Sequence, residues 1–356
     1  MFLIMAGWTP PEKCRVRPTR QCRFGEPPDV PDDPAWNRGR RSSSRLRHAG
    51  KSALHFPTMK TAPLLFALLL SAVSPIHAEP SRVWKLWDGK APGDFTVPGP
   101  ELVTPPKPGE NPPILRITNI AEPRLEIYEP AADKKNGAAV VIVPGGGFGI
   151  LASGHEGADL AEWFRARGFV AGVLQHRCPT NKLPKPWELP AQDAQRAVSV
   201  VRRKAAELGV QADRVGLFGF SAGGQVALIA ATNDDQRLYP AADETDATGC
   251  RPDFLMLCYP WKILADNSLT ELKPEVRITA KTPPTFIAQA NDDPGSLAEG
   301  STLAFLALRK AKVSTELHIY STGGHGFGLR PNGTQAPGDW PGRAELWLKA
   351  RGLLAP

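Results

Sequence analysis

The sequence has few of the residues that would indicate disulfides, metal sites or membrane spans. It contains five cysteines in 356 residues, and no Cys or His spacing is typical of a zinc site. An apolar run from Ala62 to Ser74 is shorter than the ~20 residues of a bilayer-spanning helix. We find no internal repeat. A zinc protein, an integral membrane domain and a repeat protein are therefore disfavoured.

The folded part of the chain also lacks an excess of charge. The formal net charge is +7, but 12 of the 43 Lys and Arg and 5 of the 36 Asp and Glu precede residue 79. From Glu79 onward, 31 positive residues face 31 negative ones. Because only the leader is basic, no nucleic acid or other polyanionic partner is predicted.

The leader predicts export. Residues 1–58 are rich in Arg, Pro and Ser, and we interpret them as a non-native upstream extension or a disordered segment. Residues 59–78 contain a basic start, the apolar run and a small-residue cleavage site, and they predict a signal peptide. The mature chain then begins near Glu79, outside the cytoplasm, secreted or periplasmic. An uncleaved membrane anchor is the alternative. At most one disulfide could form among the cysteines that remain, which are Cys178, Cys250 and Cys258.

The mature chain predicts one α/β domain. Residues 79–113 are rich in Pro and Gly and predict an extended N-terminal arm, and residues 114–356 form the predicted catalytic domain. Ile114–Ile120 and Arg124–Glu129 alternate apolar and polar residues, which predicts an antiparallel pair of edge strands. Later, continuous apolar runs alternate with segments of helical spacing, which predicts a mostly parallel, doubly wound sheet. The connections are too short for more than a minimal cap.

Serine 221 is the first candidate catalytic residue. Val215–Phe220 is an apolar run that ends at Gly219-Phe-Ser221-Ala-Gly223, a pattern typical of the nucleophile elbow, in which a sharp strand-to-helix turn exposes a serine. Because Ser221 would lie at the start of the next helix, backbone N–H groups, including that of Ala222, would point at an anion developing beside it. A structural glycine turn is the alternative.

A second glycine-rich loop follows an earlier buried strand. Pro144-Gly-Gly-Gly-Phe-Gly149 comes directly after Ala138–Val143, and its backbone could approach a ligand closely. We predict that Gly146 and Gly147 contribute oxyanion-binding N–H groups. A phosphate-binding loop is disfavoured because the Lys-Ser/Thr pair of a P-loop is absent.

The candidate acid and base follow the serine in the chain. Asp292 and Asp293 come just after the predicted strand Thr285–Ala290, and either carboxylate could orient a histidine. His325 lies in a glycine-lined loop after the last predicted strand, where an imidazole could reach the serine. A turn-forming aspartate and a structural histidine are the alternatives.

Together these segments resemble the bacterial α/β-hydrolases related to acetylxylan and feruloyl esterases. The resemblance is carried by GFSAGG, VPGGGFG, the GHEG of Gly154–Gly157, DAQRAVSVVR and GGHGFGL. It implies an α/β-hydrolase fold with Ser221 as nucleophile, His325 as base and Asp293 as acid. Because Gly295 and Ser296 replace the residues usual in the family after the Asp-Pro pair, Asp292 stays open as a substitute.

The predicted activity is ester hydrolysis through an acyl-enzyme, with neither metal nor cofactor. The predicted substrate is an ester of acetyl or feruloyl groups on polysaccharide. Four residues at strand ends or in nearby loops are candidates for substrate binding, namely His155, Glu156, Arg177 and Trp261. A prolyl-oligopeptidase type of peptidase and a non-catalytic binding protein are the alternatives. The sequence leaves the oligomeric state open.

Overall fold

The computed structural model describes residues 79–108, 110, 114–233, 236–329 and 337–355. These residues belong to one of the two units into which the chain divides, Ser71–Pro356, and the other is Met1–Leu70. The predicted extension and signal peptide (residues 1–78) lie outside the described residues. Within the described ranges, no helix combines the length and apolar character needed to cross a membrane.

Strands and helices alternate along most of the domain. The strands are β1 (Arg82–Lys85), β2 (Leu102–Thr104), β3 (Arg116–Thr118), β4 (Arg124–Tyr128), β5 (Ala139–Val143), β6 (Val170–Gln175), β7 (Val215–Phe220), β8 (Phe254–Cys258), β9 (Thr285–Ala290) and β10 (Thr315–Tyr320). The α-helices are α1 (Asp159–Arg165), α2 (Glu188–Arg203), α3 (Ala205–Leu208), α4 (Ser221–Thr232), α5 (Ala298–Lys310) and α6 (Trp340–Ala350).

Eight strands form the main sheet, in the order β1-β4-β6-β5-β7-β8-β9-β10. The six strands from β6 to β10 pair in parallel. Every residue of β5 and β7 is buried, as expected for parallel strands covered on both faces. The structure thus confirms the predicted fold class.

The antiparallel edge exists, but it is built differently from the prediction. β4 pairs antiparallel with β1 and with β6, whereas β3 pairs with β2 in a separate two-stranded sheet. The predicted pairing of Ile114–Ile120 with Arg124–Glu129 is therefore wrong. The N-terminal arm supplies the missing partners, because it contains both β1 and β2.

Helices cover both faces of the main sheet. Successive residues of a strand point to opposite faces, so Leu217 joins the core beneath α2 and α4 while Phe218 joins the core beneath α1 and α6. Because neighbouring parallel strands all end at the same edge, the loops that follow β5, β7, β8, β9 and β10 come together there.

Candidate active site

Serine 221 lies at the sharp turn between β7 and α4, and its backbone is strained. Its φ is +51°, in the left-handed region that non-glycine residues rarely adopt. The turn is tight because a Cβ on Gly219 would lie 2.3 Å from the Gly223 carbonyl oxygen, and one on Gly223 would lie 2.1 Å from the Val143 carbonyl oxygen. The glycines beside the serine are therefore required sterically.

The structure brings the predicted serine, histidine and aspartate together. The Ser221 Oγ lies 2.8 Å from His325 Nε2, and His325 Nδ1 lies 2.8 Å from Asp293 Oδ2. The three residues come from the ends of β7, β10 and β9, which explains how side chains more than a hundred positions apart meet. This arrangement can transfer a proton from the hydroxyl to the imidazole.

The carboxylate of Asp293 is buried and held on both oxygens. While Oδ2 contacts the imidazole, Oδ1 accepts hydrogen bonds from the backbone N–H groups of Gly295 and Ser296, both at 2.8 Å. Burial alone would raise the pKa of Asp293, but the bonds from His325 and from the two amides outweigh it and lower the pKa below its usual value. The carboxylate is therefore charged at neutral pH.

Asp292 is placed elsewhere. It is exposed, and its Oδ1 accepts a hydrogen bond of 2.8 Å from the backbone N–H of Gly324. Of the two candidate acids, the one that contacts the imidazole is thus Asp293. Asp292 instead braces the loop that carries the histidine.

The glycine loop after β5 lies against the serine. A Cβ on Gly145 would lie 2.7 Å from the Cβ of Ser221. Gly146 and Gly147 have φ values of +131° and +62°, and the Gly146 carbonyl accepts bonds from the N–H groups of Gly149 and Ile150, which turn the loop back on itself. Ala222 is in the first turn of α4, where N–H groups lack intrahelical acceptors.

Two of the predicted substrate-binding residues are buried near the loop. Glu156 and His155 lie in a short π-helical turn, Gly154–Ala158, in which every residue is buried. Glu156 Oε2 accepts a hydrogen bond of 2.8 Å from the N–H of Gly145. Glu156 therefore supports the glycine loop from behind, whereas His155 lies against Gly328, where an added Cβ would be 3.1 Å from its ring. Neither side chain lines a surface open to substrate.

The structure corrects the prediction for Arg177. Its side chain is 1% exposed, and it donates hydrogen bonds to both carboxylate oxygens of Asp193 and to the carbonyl oxygens of Pro92 and Leu189. The predicted role in substrate binding is wrong for this structure, because the guanidinium joins the N-terminal arm to α2 within the protein interior. A buried charge of this kind is retained only when it is paired.

Trp261 is the one predicted substrate-binding residue that is partly exposed at the site. Its backbone N–H donates to the Ser221 carbonyl oxygen at 2.8 Å. Its ring lies 6.0 Å from that of Phe148 in the glycine loop. Beyond it, a groove of about 560 Å³ is lined mainly by residues 262–269 and by Gly295 and Leu297.

Sequence analysis missed Tyr259, which follows β8. Its hydroxyl donates to Glu156 Oε1 at 3.0 Å and accepts from the N–H of Gly328 at 3.0 Å. Burial raises the pKa of this hydroxyl well above its usual range, so it stays protonated. The available signal was its position, because polar side chains at the carboxyl ends of parallel strands converge on the site.

The described residues contain no group of three or more His, Cys, Asp or Glu that could hold a metal ion. Cys178, Cys250 and Cys258 are buried thiols.

The chain is similar to known esterases and to enzymes named for xylan. A family model described as BD-FAE matches residues 125–252. The acetylxylan esterase of Xylanibacter ruminicola is 27% identical over 60% of this chain and 46% of its own length. Endo-1,4-beta-xylanase B of Butyrivibrio fibrisolvens is 30% identical over 58% of this chain and 34% of its own. The chain thus spans less than half of these relatives.

A solved structure matches over its whole length. The acetyl ester-xyloside bifunctional hydrolase of Caldicellulosiruptor lactoaceticus is 28% identical, with a TM-score of 0.62 over 79% of this chain and 100% of that one. Like the sequence relatives, it is an enzyme named for acetyl ester or xylan chemistry. These matches confirm the resemblance seen in the motifs, which is to bacterial α/β-hydrolases related to acetylxylan and feruloyl esterases.

Proposed function

We propose that this protein is a serine esterase that cleaves carboxylic esters through a Ser221, His325 and Asp293 triad. The observation that carries the proposal is the unbroken line of two 2.8 Å hydrogen bonds from the Ser221 hydroxyl through the imidazole to the Asp293 carboxylate. A nucleophile next to a base, which a third group orients, is the arrangement that acyl transfer requires.

The reaction proceeds in two halves. His325 Nε2 takes the Ser221 proton as Oγ attacks the ester carbonyl carbon, and the tetrahedral intermediate collapses when the imidazolium returns that proton to the departing alcohol. Water, deprotonated by the same imidazole, then attacks the acyl-enzyme and releases the carboxylic acid. Asp293 stabilises the imidazolium in both halves and keeps the Nδ1 proton facing its carboxylate.

In the proposed mechanism, backbone N–H groups bind the oxyanion. We assign its donors to Ala222 at the start of α4 and to Gly146 and Gly147 in the glycine loop. Donors of this kind are worth about 3 kcal/mol each in other hydrolases.

The proposed substrate is an acetyl or feruloyl ester on polysaccharide. Support comes from the acetylxylan esterase among the relatives. The open groove beside Trp261 could accommodate an alcohol larger than a simple alkyl group. We further propose that the protein acts after export, secreted or periplasmic, because of the predicted signal peptide.

The decisive experiment compares the wild-type protein and Ser221→Ala on three substrates: p-nitrophenyl acetate, a long-chain p-nitrophenyl ester and a dipeptide amide. We expect turnover of the acetate, and a loss in Ser221→Ala of at least about 10⁴-fold in kcat, because the nucleophile is removed. A preference for the amide would instead support the peptidase, and inactivity on all three would support a binding protein. Acetate or ferulate release from natural polysaccharides then identifies the ester.

A further inference from the structure

We propose that Glu156 and Tyr259 are positioning residues that hold the glycine loop and the histidine loop at a fixed separation. The inference rests on the serine-esterase function proposed above. It assigns a role to two side chains that the mechanism itself does not use, and neither is placed to touch the substrate.

One continuous series of hydrogen bonds joins the two loops. The N–H of Gly145 donates to Glu156 Oε2 at 2.8 Å. The other oxygen of Glu156 accepts from the Tyr259 hydroxyl at 3.0 Å, and that hydroxyl accepts from the N–H of Gly328 at 3.0 Å. Gly145 directly precedes the proposed oxyanion donors, and Gly328 lies three residues after His325.

Each member of this series has its hydrogen bonds inside the protein. Glu156 is 3% exposed and Tyr259 is fully buried, so water cannot replace a missing partner without entering the core. The carboxylate accepts one bond on each oxygen, while the hydroxyl donates one and accepts one. Removing either side chain therefore leaves a buried polar group unpaired, and the loops lose their common anchor.

The backbone of Tyr259 supports a positioning role. Its φ is +39°, unusual for a bulky residue. Its ring contacts both His325, with ring centres 5.2 Å apart, and Phe327, at 4.4 Å. Surrounding packing must hold a strained residue in place, and here the histidine loop supplies part of that packing.

The separation of the two loops matters because both act at the same moment. As Ser221 attacks, the glycine loop receives the new negative charge and the histidine loop receives the proton. A displacement of either loop by about 1 Å would weaken the stabilisation of the transition state much more than the binding of substrate. Such a displacement can lower the rate by about 10²-fold. The positioning pair should therefore influence kcat more than KM.

The test is Tyr259→Phe in the full chain, assayed on p-nitrophenyl acetate. Phe keeps the ring contacts but removes the hydroxyl from both bonds. We expect kcat to fall by about 10- to 100-fold while KM changes by less than about threefold. The matched control is Tyr239→Phe, because Tyr239 is also buried and its hydroxyl also makes two bonds, to Asp246 and Arg237, away from the site. This control should lower the melting temperature similarly and leave kcat unchanged.

Glu156→Gln supplies a second, independent measurement. Its amide oxygen can still accept from Gly145, but its NH₂ group cannot accept the Tyr259 proton. We expect a smaller loss of kcat than in Glu156→Ala. The double variant Glu156→Gln with Tyr259→Phe should lose much less than the product of the single losses, because both break the same series of bonds. In the double variant Glu156→Gln with Tyr239→Phe, the loss of kcat should equal the product of the two single losses.

Three outcomes would overturn the inference: an unchanged kcat in Tyr259→Phe, equal losses in Tyr259→Phe and Tyr239→Phe, or additive losses in the first double variant. Labelling with a fluorophosphonate gives the fraction of folded, reactive serine and corrects each kcat for misfolded protein. Failure of the proposed function looks different: the wild-type protein would then leave p-nitrophenyl acetate uncleaved or prefer the amide, or Ser221→Ala would keep the esterase activity.

Discussion

At the scale of single residues, the two neighbouring aspartates offer a direct comparison. Asp293 contacts His325 Nδ1 and is buried, whereas Asp292 is exposed and contacts the N–H of Gly324. The sequence alone left both open, since each follows the same strand. Their difference depends on which side chain the turn directs inward, and a sequence pattern does not specify that.

We expect Asp293→Asn to lower kcat by about 10³- to 10⁴-fold, because an amide in place of the carboxylate favours the wrong imidazole tautomer and does not stabilise the imidazolium. Asp292→Asn should change kcat by less than about threefold, since its amide oxygen can still accept from Gly324. Steady-state kinetics on p-nitrophenyl acetate measure both. The reverse ranking would assign the acid to Asp292.

Residue type alone misled the interpretation of the arginines. Arg177 follows a strand, where charged residues often face a site, and Arg196 lies on α2, where an arginine is ordinarily exposed to solvent. Both are buried, because Asp193 neutralises the first and Asp243 and Asp246 neutralise the second. Such pairing joins residues distant in sequence, so local spacing could not reveal it.

At the scale of elements, the turn between β7 and α4 was the most predictable part of the molecule. Its glycines are imposed by backbone contact, so their spacing is visible in the sequence. The short strands of the arm were not predictable, because β1 is mostly exposed and has no apolar alternation. Consequently the partner of β4 was assigned incorrectly.

The turn predicts a large difference between two glycines. Gly223→Ala should lower the melting temperature by several degrees and abolish most activity, because its Cβ would lie 2.1 Å from the Val143 carbonyl oxygen and 2.6 Å from that of Pro144. Gly342→Ala is the control, since Gly342 lies within α6 and nothing surrounds its added Cβ within 4 Å. There alanine should leave the melting temperature unchanged or raise it slightly. Thermal unfolding of both variants tests this, and equal effects would contradict it.

At the scale of the whole molecule, the sequence predicted the parallel sheet, its helices on both faces and the convergence of the site loops. It did so because buried parallel strands are continuously apolar. It did not predict which contacts attach the long connections to the rest of the domain. One such contact is the ion pairing of Arg196 on α2 with Asp243 and Asp246 in the loop after α4.

The stability that the Arg196–Asp243 ion pair contributes should depend on pH. The hydrogen bond from Arg196 lowers the pKa of Asp243 from the usual 3.8 to about 2. A lowered pKa in the folded state means that the stabilisation is complete above about pH 4 and is lost as the pH falls toward 2. Asp243→Asn should therefore lower the melting temperature at pH 7. The difference in melting temperature between this variant and the wild type should become smaller between pH 4 and pH 3. Asp266→Asn is the control, because Asp266 also pairs with a cation, Lys273, but its own side chain is 88% exposed. This substitution should change the melting temperature little at either pH.

The bond from the Trp261 N–H to the Ser221 carbonyl oxygen has an evolutionary consequence. It anchors the start of the β8–β9 connection to Ser221, so the mostly exposed residues 266–271 further along that connection can be replaced, lengthened or shortened without disturbing the anchor. Under the proposed function, relatives can thus diversify what they accept while the reacting atoms stay in register, and transplanting residues 266–271 between them is a rational route to altered ester preference.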